Sequence, residues 1–375
     1  MQRRKFIQSG VTAVGGFLLA ANSGSPQSFF GSSGGRGQAD HDGRTWSMPE
    51  EGDRHSRTWM AFGAAAHYGD VLPEAQRNLA AIARAIARFE PVSMLVRPDE
   101  IDLARGLIAG ANVELVPAAL DDLWMRDTGP VFVKGNGARA GVDFNFNGWG
   151  NKQEHRRDAE VAQVVTGRAG VETLRTELVL EGGGIEVDGQ GTAIITESCV
   201  LNNNRNPGWS KKDVEAELEY LLGLKKIIWL PGIAGQDITD GHTDFYARFA
   251  RPGVVVAGLD TDPTSYDHDV TRRHLEILKG ATDLQGRALQ VEVLTAPTRV
   301  RPEFKSKDFA AGYINFYVCN GAVIAPEFGD PEADSAARST LERLFPDRQV
   351  VQLNIDAIAW AGGGIHCTTQ QEPAQ

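Results

Sequence analysis

The sequence predicts an α/β protein, built as one large domain from a repeated helix-then-strand unit. Amphipathic helical segments are each followed, after a short polar break, by a run of apolar and β-branched residues. That order recurs along the chain, which points to one structural module used several times. No long low-complexity linker interrupts the sequence after Thr45, and the 42 glycines are spread along it as turns.

The segments follow in order. Residues 73–90 read as a helix: Leu79, Ile82, Ile86 and Phe89 share one face, and Pro73 sits at the start, where its missing N–H costs nothing. Val92-Ser93-Met94-Leu95-Val96 reads as a strand, residues 101–108 as a short helix, and Val113-Glu114-Leu115-Val116 as another strand. Residues 210–222 form a helix capped by Ser210, with Asp213 three residues on and Gly223 as its stop. Lys226-Ile227-Ile228-Trp229-Leu230 follows as a strand. Residues 331–345 and Val350-Val351-Gln352-Leu353 repeat the pattern.

The amino terminus reads as a targeting segment. Gln2-Arg3-Arg4-Lys5-Phe6-Ile7-Gln8 resembles a twin-arginine export motif, and the apolar run from Val11 to Ala21 is too short and glycine-rich for a membrane span. Residues 1–30 are expected to be a signal, 31–44 a flexible leader, and 45–375 the catalytic domain. The expected location is periplasmic or secreted, with no stable membrane anchor after signal removal. The formal charge is −11, and about −14 once Arg3, Arg4 and Lys5 leave. So negative a body disfavours nucleic acid as a partner and suits a small cationic substrate. Nothing in the sequence argues against a homo-oligomer.

Cysteines are sparse. Cys199 and Cys319 lie in apolar surroundings and read as small residues on buried strands. Cys367 differs, because it follows the glycine run Gly362-Gly363-Gly364 and precedes Thr368-Thr369-Gln370-Gln371. A thiolate is a strong nucleophile, and glycines let a backbone approach a substrate closely. The glycine pattern recurs at Glu181-Gly182-Gly183-Gly184-Ile185, led by a carboxylate. Two further polar clusters, Trp124-Met125-Arg126-Asp127 and Asp240-Gly241-His242-Thr243-Asp244, stand where strands run out into loops. Together they supply a nucleophile, a base and several carboxylates.

At these residues the chain resembles the guanidine-modifying (pentein) superfamily, and within it the agmatine deiminases. The resemblance rests on Trp124-Met125-Arg126-Asp127-Thr128-Gly129-Pro130, Asn202-Asn203-Asn204-Arg205-Asn206-Pro207, Asp240-Gly241-His242-Thr243-Asp244-Phe245 and Ile365-His366-Cys367-Thr368-Thr369-Gln370-Gln371, in that order. Met48-Pro49, His55 and Trp59 echo the family's opening. It implies a five-bladed pseudosymmetric α/β-propeller of ββαβ modules around a polar cleft, with no cofactor. It also implies roles. Cys367 attacks the guanidinium carbon, and His242 serves as acid and then base. Glu181 orients His242, while Asp127 and Asp244 hold the guanidinium nitrogens. Trp124, Arg126, Gly363 and Gly364 are candidate substrate-binding residues, with Trp124 against the methylenes or the cation. His366 is expected to pack away from Cys367, since neighbouring strand residues face opposite ways.

The sequence also departs from the family. Ile238 stands where an acidic residue is common, four positions before the histidine, and an isoleucine cannot pair an ammonium. Gly364 replaces an asparagine, and Phe62-Gly63 alters the opening Trp-Pro motif. The expected reaction is agmatine plus water giving N-carbamoylputrescine and ammonia. The alternatives are deimination of another guanidine, including peptidyl-arginine outside the cell, an amidinotransferase, and a periplasmic guanidine-binding protein without turnover. A metal site from His242, Asp244, His366 and Cys367 is disfavoured by their spacing.

Overall fold

The helix-then-strand unit gains a leading antiparallel strand in three dimensions. The structure is a computed structural model and describes residues 45–63, 66–135, 137–304 and 306–375. The first sheet holds β1 (His55–Phe62), β2 (Val92–Val96) and β3 (Val113–Pro117), linked by helices α1 (Leu72–Ile86) and α2 (Ile101–Leu107). The second has β4 (Val131–Gly135), β5 (Ala138–Asp143), helix α3 (Val161–Ala169) and β6 (Glu172–Arg175). The third has β7 (Ile185–Val187), β8 (Thr192–Thr196), α4 (Lys211–Leu222) and β9 (Lys226–Leu230). The fourth has β10 (Ala247–Arg251), β11 (Val254–Leu259), α5 (Asp267–Gly280) and β12 (Gln290–Thr295). The fifth has β13 (Tyr317–Cys319), β14 (Ala322–Glu327), α6 (Pro331–Leu344) and β15 (Gln349–Asn354). The last strand, β16 (Thr369–Pro373), returns to pair antiparallel with β1.

In sheets two to five the first two strands pair antiparallel, and the third joins in parallel after its helix. A parallel neighbour needs a crossover of this kind, which is why a helix lies between each pair of parallel strands. The local signals act as expected. Ser210 accepts from the Asp213 backbone N–H while Asp213 returns the bond, and Gly223 ends α4 at φ 70°.

The propeller expected from the family resemblance is corrected by the strand pairing. Among the described residues there are five separate open sheets of three or four strands, and no ladder closes one upon itself or joins one to the next. Each sheet completes its own ladder, and neighbouring sheets meet through packed apolar side chains and through polar side chains that cross between them, such as Glu186, which accepts from the Phe249 backbone N–H at 2.8 Å, and Arg139, which donates to the Pro373 carbonyl at 2.8 Å. Val131, Val133, Ala140 and Val142 of the second sheet share a core with Ile185, Val187, Ala193 and Ile195 of the third, sealed by Val214, Leu218 and Leu221 of α4. Ile194, Ile228 and Leu230 meet Ala247, Phe249, Val255 and Ala257 in the same way.

The signal and leader expected over residues 1–44 lie outside the described residues. Among the described residues no helix is long and apolar enough to cross a membrane.

Candidate active site

One topological position recurs at the site. Asp127 precedes β4, Glu181 precedes β7, His242 and Asp244 precede β10, and Cys367 precedes β16. The segment leading into each module's first strand brings its polar side chain to a common centre, and all five are buried. The sequence reading missed the fifth sheet's member, Asn315, which precedes β13. Its Oδ1 lies 3.4 Å from the Cys367 sulfur and 3.3 Å from the Cys367 backbone nitrogen.

His242 sits between two acids. Its Nε2 is 3.0 Å from Glu181 Oε2 and its Nδ1 is 3.7 Å from Asp127 Oδ1. Burial works against charging this ring, but Asp127, Cys199 and Glu181 outweigh it and hold its pKa well above the ordinary histidine value. Burial likewise raises Glu181, yet Arg205 and His242 prevail and pull it down to about 2. Asp127 is raised, first by burial. Its Oδ2 accepts from Trp149 Nε1 at 2.9 Å and its Oδ1 from the Gly183 backbone N–H at 3.0 Å. Trp149 is aimed by an unusual backbone, for Asn145, Trp149 and Asn151 all have positive φ (55°, 55° and 61°). A bulky residue in that region is strained and held there by its surroundings.

The nucleophile candidate lies beside Asp244. Cys367 Sγ is 3.6 Å from Asp244 Oδ2, and His366 Nδ1 is 2.8 Å from the same oxygen. The other carboxylate oxygen, Asp244 Oδ1, is buried with no hydrogen-bond partner among the described residues. Burial, then Asp244, then Asp127 push the Cys367 thiol well above its ordinary pKa. A cation placed among these groups would reverse part of that shift.

The glycines are spatial requirements. A Cβ on Gly183 would lie 2.6 Å from His242 Nδ1 and 2.9 Å from Asp127 Oδ1. One on Gly363 would lie 2.1 Å from the Trp124 ring, and one on Gly364 would lie 2.3 Å from Asn315 Oδ1. Trp124 thus packs closely against Gly363 while its Nε1 donates to Asp122 at 3.2 Å.

Three expectations are corrected. Arg126 does not face the site. It is buried, and its guanidinium donates to Glu51 at 3.0 Å, Gln371 at 2.7 Å and the His366 carbonyl at 3.3 Å. On the helical turn Met125–Thr128 it points away from its neighbour Asp127. His366 does not pack away from Cys367, because residues 366–368 form a 3-10 turn rather than a strand. It bridges Asp244 to Glu51, whose Oε2 is 2.9 Å from Nε2. Cys199 lies on the short helix Glu197–Val200 rather than on a strand, with its sulfur 3.6 Å from Glu181 Oε2. Glu51 was also missed. Burial raises it, but Arg248, His366 and Arg126 hold it well below the carboxylate range.

Glu181, Cys199 and His242 are the described residues near enough together to hold a metal, with ligand atoms within 4.8 Å of one another. The donor set fits a cation poorly. Arg205 Nε donates to both Glu181 oxygens at 2.9 Å, and the Cys199 thiol is raised, first by burial.

Residues 47–373 match the model of the Porphyromonas-type peptidyl-arginine deiminase family. The chain belongs to that family. It is 46% identical over 339 residues to a Streptomyces coelicolor protein, covering 88% of this chain and 99% of that one. It is 39% identical over 351 residues to the agmatine deiminase of Stutzerimonas stutzeri, covering 87% and 95%. Among solved structures, the agmatine deiminase of Enterococcus faecalis superposes with a TM-score of 0.82 at 32% identity, covering 88% of this chain and 96% of that one. The resemblance to agmatine deiminases therefore stands. These relatives are matched almost whole by about 88% of this chain, so the twin-arginine segment and periplasmic location draw no support from them.

Proposed function

We propose that this deiminase-family chain hydrolyses a guanidine, agmatine first of all, to the ureido compound and ammonia through a covalent intermediate on Cys367. One observation carries the reading: a buried, unpartnered carboxylate oxygen, Asp244 Oδ1, on the carboxylate whose other oxygen is 3.6 Å from the Cys367 sulfur. A buried orphan acceptor beside a nucleophile is where a planar cationic donor belongs. Relatives named agmatine deiminase, at 39% identity and at a TM-score of 0.82, support agmatine as the substrate.

The steps follow from the charges. In the free site Cys367 is a neutral thiol and His242 an imidazolium. The guanidinium docks on Asp127 and Asp244, offsets the two anions beside the sulfur, and the thiol proton leaves to solvent. The thiolate forms a C–S bond and the guanidinium π electrons move to nitrogen, giving a neutral tetrahedral adduct. His242 donates its proton to one –NH2, the C–N bond breaks, and ammonia departs from an S-alkylthiouronium. Neutral His242 then takes a proton from water as its oxygen bonds to carbon. The C–S bond breaks to thiolate, which takes a proton back from solvent once the cationic substrate is gone, and the hydroxyl proton passes to solvent, converting ammonia to ammonium. Glu181 keeps the imidazole oriented through both transfers.

Ile238 favours a second substrate reading. Its side chain packs against the main apolar core and offers an ammonium tail no charge. Another guanidine, including peptidyl-arginine, is therefore the rival. Ammonia release from agmatine, free arginine and arginine peptides, by the parent and by Cys367→Ala, decides both points. The expected result is turnover of agmatine by the parent and none by the variant. Equal ammonia from both proteins would remove Cys367 from the reaction, and a preference for peptides would replace the substrate.

A further inference from the structure

The family motif Asn202–Pro207 holds a charged residue with no role so far. Arg205 is buried, and its guanidinium faces two elements at once. Its Nε donates to both oxygens of Glu181 at 2.9 Å, which places the cation on the carboxylate that holds His242. Its other nitrogens reach the loop that carries His242. NH1 donates to Asp240 Oδ2 at 2.8 Å and to Asn204 Oδ1 at 3.1 Å, and NH2 donates to the Thr239 carbonyl at 2.9 Å. Asp240, two residues before His242, has φ 63°, a conformation a non-glycine residue holds only when its surroundings fix it. Lys152 Nζ at 2.7 Å, Asn204 Nδ2 at 2.9 Å and the Gly235 backbone N–H at 2.8 Å also hold the Asp240 carboxylate.

We infer that Arg205 is a positioning residue, a fork that fastens the strained 239–242 turn to Glu181 and so fixes His242 for both of its proton transfers. The inference rests on the deimination reading above. Among the described residues Arg205 bonds to Glu181, Asn204, Asp240 and Thr239 and not to Asp127, Asp244 or Cys367, so its effect falls on proton transfer and spares docking of the guanidinium. A planar guanidinium spans both partners at once, whereas a lysine ammonium is a single point of charge.

The test compares Arg205→Met and Arg205→Lys with the parent, with agmatine as the probe. Turnover is measured in these variants, and agmatine affinity by calorimetry in the same variants combined with Cys367→Ala. The expected kcat falls on the order of 100-fold in Arg205→Met, from a general base displaced by an ångström or less. Arg205→Lys recovers part of that loss, and affinity changes by less than about twofold, under half a kcal/mol. A purely structural role would lower affinity and turnover together. That joint loss, or parental kcat in either variant, would overturn the assignment. If Arg205→Met does not fold, Arg205→Lys decides alone, through reduced kcat at parental affinity or the reverse. Turnover in Cys367→Ala would instead remove the deimination reading itself, so the two failures are distinct.

Discussion

Gly183 offers the sharpest test of how the centre is used, because the perturbation is one methyl group and its position is fixed. In Gly183→Ala the new Cβ would lie 2.6 Å from His242 Nδ1, 2.9 Å from Asp127 Oδ1 and 3.2 Å from Asp244 Oδ2. Ordinary contact begins near 3.4 Å, so His242 must retreat by roughly 0.8 Å or the Glu181–Ile185 turn must shift as far. Overpacking of this kind costs about 1–3 kcal/mol of stability, which lowers Tm by no more than about ten degrees in a chain this long. The catalytic cost is larger. A displacement near an ångström costs on the order of 100-fold in rate, and the methyl also occupies space between the base and both carboxylates. The assay is ammonia release from agmatine over a range of concentrations, alongside a thermal melt. The expected outcome is a folded protein with kcat/KM down by about 100-fold or more, a loss near 3 kcal/mol. A folded variant within about threefold of the parent, under 1 kcal/mol, would refute the claim that substrate, His242 and both aspartates share this space.

Two further predictions concern charge. Asp244→Asn removes an anion that, after burial itself, holds the Cys367 thiol high. Cys367 in that variant is expected to be alkylated faster by iodoacetamide at mildly alkaline pH, although turnover is lost, and peptide mapping would separate it from Cys199 and Cys319. An unchanged or slower rate would show that Asp244 does not act on the sulfur. Glu181 has a folded pKa of about 2 against an ordinary 4.5, so its stabilisation is complete above 4.5 and is lost as pH falls towards 2. The full contribution is about 3 kcal/mol, and Glu181→Gln should flatten the fall in urea midpoint between about pH 5 and pH 3. Parallel pH profiles for the two proteins would contradict it.

Much of the local structure was legible because its causes are local. The apolar face of α1, the Ser210–Asp213 cap and the Gly223 stop act within a turn or two of themselves. The helix-then-strand order was therefore readable, and Cys367, His242, Glu181, Asp127 and Asp244 were visible as reactive types in distinctive surroundings. Arg126 was misjudged because it adjoins Asp127 in the same motif. Adjacency in sequence does not say which of two neighbours a helical turn points inward. His366 was misjudged because a strand was assumed where the backbone makes a tight turn. Trp149 and Arg205 carried a faint signal, a tryptophan between glycines and an arginine in an asparagine run, but their partners lie 22 and 24 residues away.

The amino-acid order by itself settled which chemistry this protein carries and the alternation of helix and strand that bears it, since both depend on side-chain identity and short-range periodicity. Only the tertiary structure decided that the sheets stay open and separate. It also decided that Asp244 serves His366 and Cys367 across more than a hundred residues, and that one oxygen of that aspartate is left for a guest. Such meetings are fixed by the packing of whole modules against one another, a balance of buried area and chain entropy that no short stretch of sequence contains.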